Sequence, residues 1–319
     1  MLISFVIPCY KSANTIGNVV SEIESTMKQQ PEYDYEIILV NDCSPDETTF
    51  PTIKELSKNN KRVIAIDLAK NKGQAAATMC GLRHASGDYI VCGDDDGQTP
   101  FDMIFQLKEK LDTEDYDVVC GRYVQRDRSS SFRSLGTKLN EKMSHFIFEH
   151  PKQLYLSAFF IAKRFVINEL IKYPNPYPYI TGLLVQITSK IGNVDVPQRK
   201  RLSGKSGYSF KKLLSLWLNG FTAFSVKPLR FATFIGILFD VLGFIITIVL
   251  VISRLFNENI AIGWTSLTAL MLVVSGILSI IVGMVGEYIG RIYVSINKIP
   301  QYVVREHSEN ASNDKSNAN

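Results

Sequence analysis

The chain has 319 residues, 46% of them hydrophobic and 21% charged, with a formal net charge of +4. That length suits one large domain or two medium ones with ample core. So slight a positive balance does not point to nucleic acid as a partner.

From the amino end, MLISFVIPCY is apolar but short and has no basic leader, so it reads as a buried strand rather than a signal peptide. Strand and helix patterns then alternate. LISFVIP is a strand and TIGNVVSEIESTMKQ a helix by its apolar spacing. YEIILVND is a strand, TTFPTIKELSKN a helix, RVIAIDL a strand and GQAAATMCGLRHA a helix. DYIVCGD is a strand, DMIFQLKEKLD a helix and YDVVCGR a strand. Short, continuously apolar strands alternating with helices predict a mostly parallel sheet covered on both faces. Ligands of such sheets bind beyond the carboxyl ends of the strands. The segments to watch are therefore Pro8–Tyr10, Asn41–Ser44 and Asp94–Gln98.

Residues 121–150 are basic and irregular, and YPNPYPYITG is a proline-rich turn region. In KKLLSLWLNGF, Leu213, Leu214, Trp217, Leu218 and Phe221 share one helical face behind Lys211 and Lys212. That pattern suits a helix lying in a membrane interface, or an ordinary amphipathic core helix. Two long apolar runs follow. Phe231–Ser253 holds one charge, Asp240, and Ile260–Gly286 holds none. Each exceeds the roughly 20 residues a helix needs to cross a bilayer. Two buried core helices are the alternative, but such runs in tandem with a short polar link favour a transmembrane hairpin. Lys227 and Arg230 precede the first run, Arg291 and Lys298 follow the second, and Arg254 alone lies between. The excess of Lys and Arg predicts both ends on the cytoplasmic side. The tail HSENASNDKSNAN is polar and expected to be disordered. Its Asn310-Ala311-Ser312 sequon is discounted because this topology leaves it cytoplasmic.

Three clusters could carry chemistry. Asp94, Asp96 and Gln98 offer hard oxygens at a spacing of two, just past a strand. Mg²⁺ or Mn²⁺ bound together with phosphates takes few protein ligands of this kind. Asp95 would then turn away, toward backbone amides or solvent; a helix-capping acidic turn is the plainer reading. Asp42, in VNDCSPDET, is either a carboxylate for a nucleobase edge or a turn residue. Arg122, Arg126, Arg128 and Arg133 form one basic group, and Arg199, Lys200, Arg201 and Lys205 another. Both suit phosphate, or anionic lipid headgroups. No G-x-G-x-x-G follows the first strand and no G-x-S-x-G occurs; GKS at 204–206 lacks the first glycine of a P-loop, since Arg199 stands there. The four histidines suggest no ligand pair. The five cysteines, odd in number and unclustered, read as free thiols.

FVIPCYKSANTI, ILVNDCSPDET, NKGQAAATMCGLRHASGDYIVCGDDDGQTP, GKSGYSFKKLLSL, FSVKPLR and GEYIGRIY stand in the order of the family 2 inverting glycosyltransferases, which the chain resembles from about residue 3 to 304. The last three segments resemble the branch that uses polyprenyl phosphates. Where that family has Asp-x-Asp-Leu-Gln-x-Pro-Pro, this chain has Asp94-Asp95-Asp96-Gly97-Gln98-Thr99-Pro100: Gly97 replaces Leu, and the second Pro is missing. The resemblance implies a GT-A (Rossmann-like) catalytic domain over 1–208. It implies an interfacial region over 209–230, transmembrane helices near 231–253 and 262–286, and a cytoplasmic segment over 287–319. By the same resemblance Asp96 and Gln98 hold the metal, with Asp94 on the nucleotide or the metal's water. Pro8, Tyr10, Asp42 and Gln74 hold the nucleotide. Arg122 and Arg133 meet the lipid phosphate, and Arg126, Arg201 and Lys205 bind phosphates. The implied reaction moves a sugar from a nucleotide diphosphate, expected to carry uracil, to undecaprenyl phosphate with inversion. The implied setting is the bacterial plasma membrane, serving envelope glycans, in a homo-oligomer. A processive polysaccharide synthase would also carry Gln-x-x-Arg-Trp, and neither Trp217 nor Trp264 lies in one. A non-catalytic nucleotide-binding membrane protein is the other alternative.

Overall fold

The computed structural model describes residues 1–124, 154–176, 178–199, 241, 245, 264–296 and 300–308. The chain divides into two compact units, residues 1–207 with 298–319, and residues 208–297.

In the first unit the nine elements expected from the sequence all form. They are β1 (Leu2–Cys9), α1 (Ile16–Lys28), β2 (Asp34–Asn41), α2 (Thr49–Asn59), β3 (Val63–Leu68), α3 (Gln74–His84), β4 (Tyr89–Cys92), α4 (Ile104–Thr113) and β5 (Val118–Val124). A 3₁₀ turn, Phe101–Met103, leads into α4. Beyond these lie β6 (Phe160–Lys163), α5 (Arg164–Leu170), α6 (Ile180–Ile187), β7 (Ile191–Pro197) and β8 (Val304–His307).

One eight-stranded sheet runs β7-β5-β6-β4-β1-β2-β3-β8. Its centre is parallel, with Pro8 beside Val40, Val6 beside Cys92 and Asn41 beside Asp67. β6 runs antiparallel to both β4 and β5, and β8 antiparallel to β3. The sheet is therefore mixed, with the expected parallel order confined to its middle and to β5–β7. Both faces are covered, which is why β1 is buried almost throughout. Ile3, Phe5, Ile7 and Cys9 pack with side chains of α1, α2 and α4. The opposite face meets α3, where Gly81 lets the helix backbone come down on Val6 and Val40.

β8 departs from the sequence expectation. His307 and Ser308, assigned to a disordered tail, belong to the sheet edge: Ser308 N donates to Ala65 O at 2.8 Å, and Ala65 N to Ser308 Oγ at 3.1 Å. The His307 ring lies 5.0 Å from that of His84 on α3, a pairing the sequence did not suggest. All five cysteines are free, as expected.

In the second unit, α7 spans Trp264–Ile296, 33 residues or about 50 Å at 1.5 Å per residue. Leu267, Met271, Val274, Leu278, Val282 and Val285 recur every three or four positions and are exposed. Val241 and Ile245, within the first apolar run, are helical and exposed, but the rest of that run and the expected interfacial helix lie outside the described residues. Among the described residues no helix is long and apolar enough to cross a membrane. The sequence of α7 carries no charge from Trp264 to Gly286, so the expected transmembrane hairpin rests on the sequence alone.

Candidate active site

Because β1, β2 and β4 are parallel neighbours, the loops at their carboxyl ends share one edge of the sheet. The structure draws them together with few, directional contacts. Asp95 Oδ2 accepts the Tyr10 N–H at 2.9 Å, tying the acidic loop to the loop after β1. Ser44 Oγ accepts the Lys11 N–H at 3.1 Å, tying the latter to the loop after β2. Lys11 and Cys43 both adopt positive φ, 57° and 48°. For such residues the left-handed region costs on the order of 1 kcal/mol or more, so it persists where neighbours enforce it.

The acidic loop is itself well defined. Asp94 N donates to Thr99 Oγ1 at 3.0 Å, and Gln98 N to Asp96 Oδ1 at 3.0 Å. Gly97 sits at φ 77°, where the leucine of the family pattern would be strained. Gln74, at the start of α3, donates its Nε2 to Asp94 Oδ1 at 2.6 Å. Gln98 Nε2 donates to the Arg199 carbonyl at 2.9 Å, which makes Oε1 the candidate metal-ligating end of that amide. The expectation that Asp95 turns to a backbone amide holds, and that bond joins two loops. Burial raises its carboxyl above the ordinary range against the Tyr10 bond.

Asp42 is 3% exposed. Its Oδ1 accepts the Lys72 N–H and its Oδ2 the Gly73 N–H, both at 2.8 Å, and Asn71 Nδ2 donates to its carbonyl at 3.0 Å. The carboxylate thus fixes the turn that launches α3, a bond to a distant loop rather than the local turn that the sequence offered. Burial nonetheless holds its carboxyl above the usual value. Pro8 is buried inside β1, whereas Tyr10 is 47% exposed at the loop.

The basic residues behave differently. Arg122 pairs with Asp195 across β5 and β7, and strand alternation puts it on the face opposite Tyr123. The Tyr123 phenol is raised by burial and then by Asp94, so it is Tyr123 that faces the acidic loop. Arg199, grouped with the phosphate binders by sequence, instead clamps Glu22 at 2.8 Å and Asp102 at 2.6 Å. Arg126, Arg133, Arg201 and Lys205 lie outside the described residues.

Among the described residues no group of three or more His, Cys, Asp or Glu side chains is placed to hold a metal ion. Two carboxylates and an amide oxygen remain as the candidate set. That donor set fits Mg²⁺ or Mn²⁺, which complete their shells with water and phosphate oxygens. Thr99 and Tyr123 are the supporting residues the sequence did not single out, while Arg199 supports the loop through its carbonyl rather than as the phosphate ligand its neighbours suggested. Only Thr99 sits in a motif that could have drawn attention to it.

The two roles of an Asp95 carboxylate, acceptor and charge, can be separated. Asp95→Asn keeps an oxygen for the Tyr10 N–H and is expected to unfold within a few degrees of the wild type. Asp95→Ala loses the tie and costs about 1 kcal/mol of stability. Thermal unfolding of both variants checks this; equal unfolding temperatures for the two would rule out the tie as a source of stability.

Residues 4–171 match the model of glycosyl transferase family 2. Over 303 residues the chain is 31% identical to an uncharacterized glycosyltransferase, YkcC, of Bacillus subtilis, covering 95% of this chain and 93% of that protein. It is 28% identical to a prophage-derived bactoprenol glucosyl transferase of Shigella flexneri, over 96% of this chain and 98% of that one. It is 30% identical to an undecaprenyl-phosphate 4-deoxy-4-formamido-L-arabinose transferase of Photorhabdus laumondii, over 98% and 96%. In fold it is similar to the crystal structure of mannosyl-3-phosphoglycerate synthase from Rubrobacter xylanophilus. The TM-score is 0.50 and the identity 15%, over 68% of this chain and 72% of that one.

Proposed function

The chain belongs to glycosyl transferase family 2, and on that premise we propose that it moves a sugar from a nucleotide diphosphate, a UDP-sugar by expectation, to undecaprenyl phosphate with inversion of the anomeric carbon. It is an enzyme, a glycosyltransferase; donor, acceptor and stereochemistry are the proposal. The observation that carries it is the full-length similarity to relatives named for bactoprenol and undecaprenyl phosphate, which extends past the α/β unit through α7. The lipid acceptor explains why an apolar run of that length accompanies a sugar-transfer domain.

Asp94, Asp96 and Gln98 Oε1 would hold Mg²⁺ or Mn²⁺ at the loop after β4. Such an ion, when bound, offsets the charge of a diphosphate leaving group. Tyr10, Pro8 and Gln74 border the nucleotide, and Asp42 shapes that border by fixing residues 71–73. The attacking group is an oxygen of the acceptor phosphate, whose second pKa is about 6 by analogy with phosphorylated side chains. It is largely anionic at neutral pH, so no protein base is required.

Arg133 is assigned to the acceptor phosphate, and Arg126, Arg201 and Lys205 to phosphates generally; Arg122 drops out of the set, because it pairs with Asp195 on the strand face turned away from the acidic loop. Residues 231–253 and 262–286 are the proposed membrane hairpin, preceded by the interfacial region 209–230. Residues 1–208 and 287–319 lie on the cytoplasmic face of a bacterial plasma membrane.

The test is release of nucleoside diphosphate from a panel of nucleotide sugars by the full-length protein in detergent with Mg²⁺ or Mn²⁺. Release that depends on added undecaprenyl phosphate is expected with one donor. Absence of lipid-dependent release with every donor contradicts the proposal.

A further inference from the structure

β8 lies beside the loop that carries the donor-side residues. Arg305, in its middle, is placed to brace two of those loops at once. Its Nη1 donates to Asp67 Oδ2 at 3.2 Å and its Nη2 to Ala69 O at 3.0 Å. Asp67 is 3% exposed, and its other oxygen accepts Asn41 Nδ2 at 2.6 Å. Asn41 Oδ1 in turn accepts Ser44 Oγ at 2.6 Å, and Ser44 Oγ accepts the Lys11 N–H. One branch from Arg305 therefore reaches the loops that hold Lys11 and Cys43 at positive φ.

The second branch starts at Ala69. Its carbonyl takes Arg305, and its N–H donates to Val303 O at 2.8 Å. Three residues on, Lys72 and Gly73 give their N–H groups to Asp42, and Gln74 reaches Asp94. The guanidinium fork thus fixes the near end of the 69–73 segment while Asp42 fixes the far end.

We infer that Arg305 is a positioning residue for the nucleotide-diphosphate site: acting through Asp67–Asn41–Ser44 and through Ala69, it holds the loops that border the donor. The inference rests on the donor-site reading above. Asp67 is a buried carboxylate whose other partner is the neutral Asn41 amide. Removing the guanidinium leaves a buried charge with a weaker set of partners, and the loops it organises relax. Lysine can restore the charge but not the two-pronged bond to Asp67 and Ala69.

The strand has a second anchor that separates this role from simple docking of β8. Glu306 stands opposite Asp67 in the strand register but pairs with Lys54 on α2, not with Arg305's partners. The experiment is isothermal titration of UDP and, separately, GDP, each with Mn²⁺, into the full-length protein in detergent. The wild type is compared with Arg305→Ala, Arg305→Lys, Glu306→Ala, Asp67→Ala and the Arg305→Ala/Asp67→Ala pair. Arg305→Ala is expected to weaken the nucleotide that the wild type binds by about tenfold, Arg305→Lys by less, and Glu306→Ala by under about twofold. The double variant should fall short of the sum of its singles, because both act along one path. The KM for undecaprenyl phosphate should stay within twofold in Arg305→Ala.

Wild-type affinity in Arg305→Ala overturns the inference. So does an equal loss in Glu306→Ala, which would make the effect one of strand docking alone. If the wild type binds neither nucleotide, the donor-site reading falls and this inference with it.

Discussion

Replacing Asp96 by Asn is expected to cut formation of the sugar–lipid by about 10²–10³-fold with the fold intact. Asp96 Oδ1 accepts the Gln98 N–H at 3.0 Å. Asparagine keeps that acceptor, so the turn around Gly97 survives, and unfolding temperature should move by no more than a few degrees. What is lost is one of the two negative charges in the candidate metal set. Lipid product per enzyme at saturating Mg²⁺ or Mn²⁺ is the measurement. Activity within tenfold of the wild type would take Asp96 out of the metal set. Nucleotide affinity measured without metal should change little, which separates this variant from those that alter the donor loops.

The second large effect is expected at Asp42. Asp42→Ala strips the Lys72 and Gly73 N–H groups of their acceptors in a site only 3% exposed. Each buried donor left unsatisfied costs roughly 1–3 kcal/mol, so the variant should lose about 2–5 kcal/mol of stability and bind donor poorly where it folds. Asp42→Asn is no simple rescue, because its amide nitrogen would face one of the two donors. The wild type carries a pH signature of the same residue. Burial holds the Asp42 carboxyl above its ordinary value, so it takes up a proton at a higher pH in the folded chain than in the unfolded one. As pH falls through that window the native state binds more protons, and this group's contribution to stability rises. The bonds to Lys72 and Gly73 weaken meanwhile, so donor affinity should fall. Parallel titrations of stability and nucleotide binding, moving in opposite directions, would support the assignment; a joint decline would point to acid effects elsewhere.

The sequence exposed the central α/β layers because β1 to β5 are continuous apolar runs with helices of clear period between them. It did not expose β6, β7 and β8, for physical reasons that differ. β6 is four residues long and runs straight into α5 with no turn residue between. β8, VREH, alternates partly and fully exposed side chains and has no apolar run at all. It is held by Lys54, Asp67, Ala65 and Ala69, partners more than two hundred positions away.

At the site, motif spacing located the acidic loop and the three strand ends, since parallel pairing brings those ends together. Side-chain direction was not legible. Arg122 and Arg199 were grouped as phosphate ligands by their neighbours in the chain, yet the fold supplies each with carboxylates: Asp195 for one, Glu22 and Asp102 for the other. Charge near charge in a sequence says little about which opposite charges the tertiary structure will deliver.

The most direct measurement is mass spectrometry of the lipid extracted after the full-length protein has acted on undecaprenyl phosphate with its working nucleotide sugar. The account predicts one new species, the lipid phosphate plus a single sugar joined as a phosphodiester, and about a hundredth of it or less with Asp96→Asn at matched protein. A sugar polymer, or unaltered undecaprenyl phosphate beside consumed donor, would contradict it.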